Sequence, residues 1–253
     1  MKRISRVVCD NARSVFGWVS VALLTVLFFF PLALVFLAVV PFDCDRKRLH
    51  VIVSLWARMI LVVCPVMRVR IEGSELLSGD RAYVLVANHQ SHADILTVLH
   101  LAHPFKFVAK KGLFWIPFLG WALSLVGYIP LDRSSRVSGK EVMKRASQYL
   151  GRGTSVLFFP EGTRSRDGEI HDFRVGAFKI AAEHDVPVVP IVIYGTRHVI
   201  QKGSPVVGAS RKVTLQIGRA RLSEGKGDAA IDRFVNEVRS DMIQQFAALR
   251  SQA

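Results

Sequence analysis

From Ser14 to Phe42 the chain carries no charged residue, 29 positions in a row. As one helix such a run would be ~43 Å long, against a bilayer hydrocarbon core of ~30 Å. Pro31 stands near its middle and predicts a kink, or a break into two arms. The run therefore either crosses a bilayer once or dips in and returns as a hairpin. Basic residues flank it on both sides, Lys2, Arg3, Arg6 and Arg13 before and Arg46, Lys47 and Arg48 after, so charge asymmetry selects no orientation. Its length, and the lack of a small-x-small site behind it, argue against a cleaved secretory leader. A second apolar stretch, Val51 to Met67, is interrupted by Arg58 and reads as an interfacial or partly embedded helix.

After Met67 the pattern changes to short apolar runs alternating with helical periodicity. Tyr83–Ala87, Phe105–Ala109, Ser155–Phe159, Val188–Tyr194 and Val213–Ile217 read as strands, several ending in polar loops. Ser138, with Glu141 three residues on, reads as a capping box opening a helix that ends near Gly151. Phe173–Glu183 is a second helix. A third spans Ala229–Leu249, with Ile231, Phe234, Val235, Val238, Met242, Phe246 and Leu249 at spacings of three and four. This alternation predicts an α/β fold, a mixed and mostly parallel sheet flanked by helices. Residues 1–67 form an N-terminal membrane-anchoring helical region, and residues 68–253 the α/β domain.

Composition sharpens the membrane reading. Apolar residues make up 51% of the 253, and the net charge is +14. Residues 103–152 hold nine Lys/Arg against two Asp/Glu, interleaved with Phe105, Phe107, Phe114, Trp115, Phe118 and Trp121. Such a surface suits an anionic membrane face, and would also suit single-stranded nucleic acid. Only the membrane reading also accounts for the uncharged run. The three cysteines, Cys9, Cys44 and Cys64, form no CxxC pair, so neither a disulfide framework nor a zinc knuckle is expected, and the domain reads as facing a reducing compartment.

Two polar segments follow strands directly. Asn88-His89-Gln90-Ser91-His92-Ala93-Asp94 comes after Tyr83–Ala87, at the strand end where α/β sheets hold ligands. A helix starting near Ser91 would put Asp94 in its first turn, within reach of His89. A carboxylate on one ring nitrogen of a histidine fixes the tautomer and raises the basicity of the other, which makes a general base. His92 is the alternative base. Phe159-Pro160-Glu161-Gly162-Thr163-Arg164-Ser165 follows the next strand; Arg164 offers a planar fork for phosphate or carboxylate, and the bland alternative is an ordinary turn. Between them, Lys110 to Arg133 is apolar with basic ends. It would line an acyl channel, rest on a membrane, or be core. No GxSxG elbow, active-site cysteine, Walker loop or GxGxxG occurs, so covalent acyl transfer lacks a nucleophile and nucleotide chemistry lacks its cradle.

In this order, NHQSHAD, GYIPLDR, FPEGTRS and VPVVPI resemble the four sequence blocks of the glycerolipid acyltransferase family, over about residues 70 to 200. The resemblance implies that His89 takes the proton from an acceptor hydroxyl while Asp94 orients it. The oxygen then attacks an acyl-CoA or acyl-carrier-protein thioester directly, with no metal and no further cofactor. It implies that Glu161, Gly162, Thr163 and Arg164, with Lys110 and Arg133, bind the glycerol-phosphate end of a lysophospholipid, 1-acyl-glycerol-3-phosphate in the narrower version. It also implies an inner-membrane enzyme of phospholipid synthesis with its catalytic domain facing the cytoplasm. Pro130, where a bulky apolar residue is commoner, and His171-Asp172, where a proline is common, leave another lysolipid open as acceptor. A non-catalytic membrane-surface protein would need no His89.

Overall fold

The computed structural model describes residues 2–77, 81–132, 134–208 and 211–252. Two helices come first, α1 (Lys2–Val39) and α2 (Leu49–Val63), followed by strand β1 (Met67–Glu72). Then come β2 (Val84–Ala87), α3 (Ala93–Val98), β3 (Phe105–Lys110), a 3-10 turn at Lys111–Trp115, α4 (Leu119–Val126) and β4 (Ile129–Leu131). The chain ends with α5 (Arg136–Gly151), β5 (Ser155–Phe158), α6 (Gly176–Glu183), β6 (Val188–Tyr194), β7 (Arg211–Ile217) and α7 (Asp228–Ser251).

The seven strands form one sheet in the order β1-β7-β6-β2-β5-β3-β4. Only β6 and β7 run antiparallel; every other neighbouring pair is parallel. Parallel strands covered on both faces read as unbroken apolar runs, and β2 and β5 are buried at every position. Side chains still alternate. Leu85, Ala87, Leu157, Val189, Ile191 and Ile193 point into a core shared with the layer that holds α1 to α4. Val84, Val86, Val156, Phe158, Val188 and Val192 point into a second core under α5, α6 and α7. Helix α7 buries the seven residues whose spacing announced it.

Three expectations need correction. Pro31 does not break α1, which is helical from Lys2 to Val39. The cap of α5 is Ser135, not Ser138: Ser135 is extended and its Oγ accepts from Ser138 N at 3.2 Å. Ser138 turns its own Oγ to Asp132 N at 2.9 Å, tying the helix start to the end of β4. Helix α6 starts at Gly176 rather than Phe173, because the preceding segment is used elsewhere: Arg174 N bonds Pro160 O at 3.0 Å and Phe173 is buried.

The helix pair is fastened to the sheet domain at both ends of α1. Near its start, Arg13 Nε donates to Val207 O at 3.1 Å, Ser14 Oγ accepts from Val207 N at 2.8 Å and Trp18 Nε1 donates to Pro205 O at 2.8 Å. At the far end, the turn into α2 docks on the foot of the sheet. Buried Asp45 accepts from Arg152 Nε at 2.7 Å and Thr154 Oγ1 at 2.6 Å, while Arg46 Nη1 donates to Ser124 O at 2.9 Å. Beneath that turn the buried Lys106 gives its Nζ to Val126 O at 2.5 Å, and burial pushes its ammonium down to about 7.

Candidate active site

Strands β2, β5 and β3 are parallel neighbours, so their carboxyl ends lie side by side. The loop after β2 carries His89, the loop after β5 carries Glu161 to Arg164, and β3 ends at Lys110. Three separate stretches of sequence thus meet at one rim of the sheet, the usual ligand position in this kind of fold.

His89 and Asp94 are in contact. Nδ1 of the buried His89 lies 2.7 Å from Asp94 Oδ2, and Asp94 is fully buried in the first turn of α3. The same oxygen accepts from Gln90 N at 2.7 Å and Ser91 N at 2.9 Å. Held by two backbone amides, the carboxylate has little freedom, and the ring it holds is fixed in turn. Phe159 stacks on the imidazole, centroids 4.1 Å apart and planes 24° off parallel. His92, the other candidate base, also faces the cavity described below. Asp94 Oδ2, however, bonds the His89 ring, and burial followed by the charges of Arg164 and His89 lowers the pKa of His92.

Asn88 completes the support in a way its sequence position does not announce. It is fully buried, and its side chain donates to Ile193 O at 2.9 Å and accepts from Ile193 N at 2.7 Å. This copies a strand residue and extends the β2–β6 ladder beyond the Ala87–Ile191 pair. The chain then leaves the sheet one residue later, at His89.

The Glu161 loop is laced to the His89 loop. Glu161 Oε1 accepts from His89 N at 2.9 Å and Oε2 from His171 N at 3.3 Å. Ser165 N returns a bond to His89 O at 2.7 Å, and Gln90 Nε2 donates to Gly168 O at 2.7 Å. Burial pushes the Glu161 carboxyl up to about 7, against the pull of those two amides. Gly162 sits at φ +72°, and a Cβ there would come within 2.8 Å of Arg174 Nε. Both the backbone angle and the space favour glycine. Thr163 is exposed and its Oγ1 accepts from Lys202 Nζ at 3.2 Å. Arg164 and the exposed Lys110 border the same cavity as His89. Arg133 lies outside the described residues. Among the described residues no group of three His, Cys, Asp or Glu side chains is arranged to hold a metal ion.

That cavity has a volume of about 350 Å³. His89, Arg164 and Lys110 are its polar residues, with His92, and the rest of its wall is overwhelmingly apolar. One wall is α1, through Trp18, Val21, Thr25, Phe28, Phe29 and Leu32, a single stripe at helical spacing. Another wall, packed against α1 through Phe29 and Phe118, is the segment left open between three readings, whose Leu113, Leu119, Ala122, Leu123, Val126 and Tyr128 line it. Trp115, Ile116 and Trp121 of that segment point outward and are exposed. One stretch therefore serves both as cavity lining and as apolar outer surface.

A buried imidazole–carboxylate pair thus opens on an apolar cavity that cationic side chains also line. The chain belongs to the acyltransferase family, whose model matches residues 68–194. It is similar to the chloroplastic 1-acyl-sn-glycerol-3-phosphate acyltransferase of Arabidopsis thaliana, 40% identical over 74% of this chain and 56% of that protein. It is also 30% identical to the 1-acyl-sn-glycerol-3-phosphate acyltransferase of Pseudomonas aeruginosa, over 76% of this chain and 74% of that one. The crystal structure of the 1-acyl-sn-glycerophosphate acyltransferase from Thermotoga maritima matches with a TM-score of 0.78 at 25% identity, covering 95% of this chain and 98% of that one. The chain spans less than two thirds of the plant relatives' length, 56% for Arabidopsis thaliana and 59% for Brassica napus.

Proposed function

We propose that the chain transfers a fatty acyl group from an acyl thioester to the free hydroxyl of 1-acyl-glycerol-3-phosphate, giving phosphatidate. The observation that carries this reading is that His89 lines the cavity that α1 walls, as do Lys110 and Arg164. An apolar slot takes a fatty chain, cations take a phosphate, and the base lines the same cavity. The relatives' names as 1-acyl-sn-glycerol-3-phosphate acyltransferases, in plants and in a bacterium, support the same acceptor.

The chemistry then follows from the geometry. With Nδ1–H donating to Asp94, Nε2 of His89 is the free lone pair. It takes the proton of the acceptor hydroxyl as that oxygen attacks the thioester carbonyl. The tetrahedral adduct collapses, the C–S bond breaks, and the thiolate takes the proton back from Nε2. Asp94 stabilises the transient imidazolium. No group beyond the two substrates is required, and the donor is acyl-CoA or acyl-carrier protein. Lys110, Arg164, Arg133 and the Gly162–Thr163 backbone hold the glycerol-phosphate end. Glu161 acts on the substrate indirectly, by holding the His89 and Arg164 loops together.

The protein works at a membrane. Within α1, the 30 residues Asp10–Val39 are long and apolar enough to cross a bilayer. Leu23, Leu27, Phe30, Leu34 and Leu37 of α1 are exposed, and so are Val51 and Val62 of α2 and Trp115 and Trp121. Because α1 is fastened to the sheet domain at both ends, a perpendicular crossing would carry that domain into the bilayer. We therefore read α1 and α2 as a hairpin immersed from one side. The site faces the cytoplasm at the inner membrane, in keeping with Cys44 and Cys64 as free thiols.

The test is a panel of lysolipids offered to the purified protein with both thioester donors. Lysophosphatidate should be the preferred acceptor, and His89→Ala should slow its acylation by about 10²–10⁴-fold. A phosphate-free lysolipid outrunning lysophosphatidate would defeat the narrow acceptor assignment.

A further inference from the structure

Lysine is almost never buried without partners, yet Lys106, the second residue of β3, is 2% exposed. It lies outside the four sequence blocks, and the chemistry at the rim does not use it. Its Nζ donates to Val126 O at 2.5 Å and lies 3.5 Å from Arg46 O, with the Tyr149 ring centroid 5.7 Å away. One ammonium thus joins the last turn of α4 to the turn between α1 and α2.

Arg46 makes the same connection from the turn itself. Its Nη1 donates to Ser124 O at 2.9 Å and to Leu125 O at 3.2 Å. The final carbonyls of a helix have no partner within it and carry its negative end. In α4 those of Ser124, Leu125 and Val126 each accept from one of these two cations. Arg46 does this at φ +57°, a backbone angle that residues other than glycine rarely adopt.

This clamp bears on the cavity. Leu119, Ala122, Leu123 and Val126 of α4 line it. So does the run from Lys110 back to Phe107, which leads about 10 Å inward along β3 from the rim. The Val108–Ile129 register sets Tyr128 beside Phe107, ring centroids 4.0 Å apart. Val126 and that ring pair form the inner limit of this wall, next to Lys106.

We infer that Lys106 is a positioning residue: with Arg46 it holds the end of α4 against the α1–α2 turn, and so sets the length of acyl chain that the cavity accepts. The inference rests on the reading of the cavity as an acyl site, given above. Lys106 acts through α4, not on the substrate. Asp43, Asp45, Arg46 and Lys47 face it from the turn, His50 from α2 and Tyr149 from α5. Burial outweighs the pull of the two aspartates and brings its pKa down to about 7. A neutral amine donates more weakly than an ammonium, so the clamp loosens as pH rises through that value.

The experiment compares wild type, Lys106→Met and Arg46→Gly in the full chain. Lysophosphatidate is the acceptor, and saturated donors of graded length are offered on the thioester carrier that the lysolipid panel selects. The readout is kcat/KM for a donor two carbons longer than the preferred one, divided by kcat/KM for the preferred one. Lys106→Met keeps the side-chain length and leaves Asp45 its bonds from Arg152 and Thr154. It should raise the ratio, roughly fourfold for each methylene newly accommodated. Arg46→Gly suits its backbone angle and should move the ratio the same way by less, which keeps the inference testable if Lys106→Met fails to fold. From pH 6 to 8.5 the wild-type ratio should climb while that of Lys106→Met stays flat. Effects of pH on the transfer step are common to both donors and cancel. An unmoved ratio in the folded variants would overturn the inference. So would an equal loss of rate on every donor, the mark of a lysine that only supports the fold. Wild type that transferred no acyl group, or all lengths alike, would instead overturn the acyl reading of the cavity.

Discussion

On one face of the sheet, α5, α6 and α7 bury Phe178, Val238 and Met242 completely and leave charged residues such as Arg233 and Glu237 outside. On the other, α1, α2 and α4 expose Leu27, Phe30, Val51 and Trp121 and enclose a cavity of about 350 Å³. Both layers pack on the same strands with alternate side chains. The first layer is what a protein needs in order to fold in water. The second is under-packed inside and apolar outside, two features that would be faults in an ordinary soluble layer. A fatty chain inside and lipid outside would account for both. Chemistry should therefore respond to changes on one face and stability to changes on the other.

The strongest way to break this comparison is at the rim. His89→Ala should lower kcat by about 10²–10⁴-fold, the usual worth of a general base. Asp94→Asn should lower it too, because the neutral amide oxygen that the Gln90 and Ser91 amides keep facing Nδ1 cannot stabilise the imidazolium formed on His89. Retained turnover in steady-state assays of either variant would remove the imidazole–carboxylate pair from the mechanism.

The next largest effect belongs to the opposite layer. Phe246 packs edge-on against Tyr194, centroids 5.4 Å apart. Phe246→Ala should cost about 3–5 kcal/mol of stability, read from denaturant unfolding in detergent. The ratio of rates for long and short acyl donors should stay where it was. A changed ratio would show that the two layers are coupled.

Glu161 sharpens the boundary between them. Its carboxyl ordinarily titrates near 4.5 and is pushed by burial to about 7. The folded protein then binds this proton more tightly than the unfolded chain does. The stabilisation by protonation is complete below about 4.5, declines as pH rises through the window up to about 7, and is gone above it, a change of about 3 kcal/mol. Melting curves of wild type and Glu161→Gln from pH 4.5 to 8 should therefore differ in slope, wild type falling more steeply. Parallel curves would mean that the two amides keep this carboxylate ionised throughout. The smallest effect is expected inside the cavity. Ala122→Phe should shift preference toward shorter acyl donors, by roughly fourfold for each methylene displaced, in competition assays with mixed chain lengths.

Much of this was legible in the residues. Four of the five apolar runs became strands covered at most positions on both faces, the fifth, Val213–Ile217, buries only alternate residues, and the period of α7 named its buried side correctly at every position. Two strands were not legible. β1, Met67–Glu72, alternates with Arg68 and Arg70 at a half-covered edge of the sheet, where burial leaves little apolar signal. β4 is three residues long and contains Pro130, which an edge strand tolerates. In the site, the His89–Asp94 contact followed from spacing, since the first turn of a helix after a strand end brings such residues together. The inward turn of Glu161 could not be read, because its partners are backbone amides 72 and 10 residues away, and amides are the same in every sequence. The same holds for Lys106, whose bond to a main-chain carbonyl leaves no trace in composition. Spacing reveals side chains that meet within an element; contacts to main chain across the fold stay hidden until the chain is folded.

Helix α1 supplies a whole side of the cavity, from Trp18 to Leu32. A truncation meant to yield a conveniently soluble catalytic fragment would strip that side away and open the slot to water along its length. Bound chains would then have nothing to lie against, and the cleaned-up fragment would make a poor surrogate for inhibitor screening.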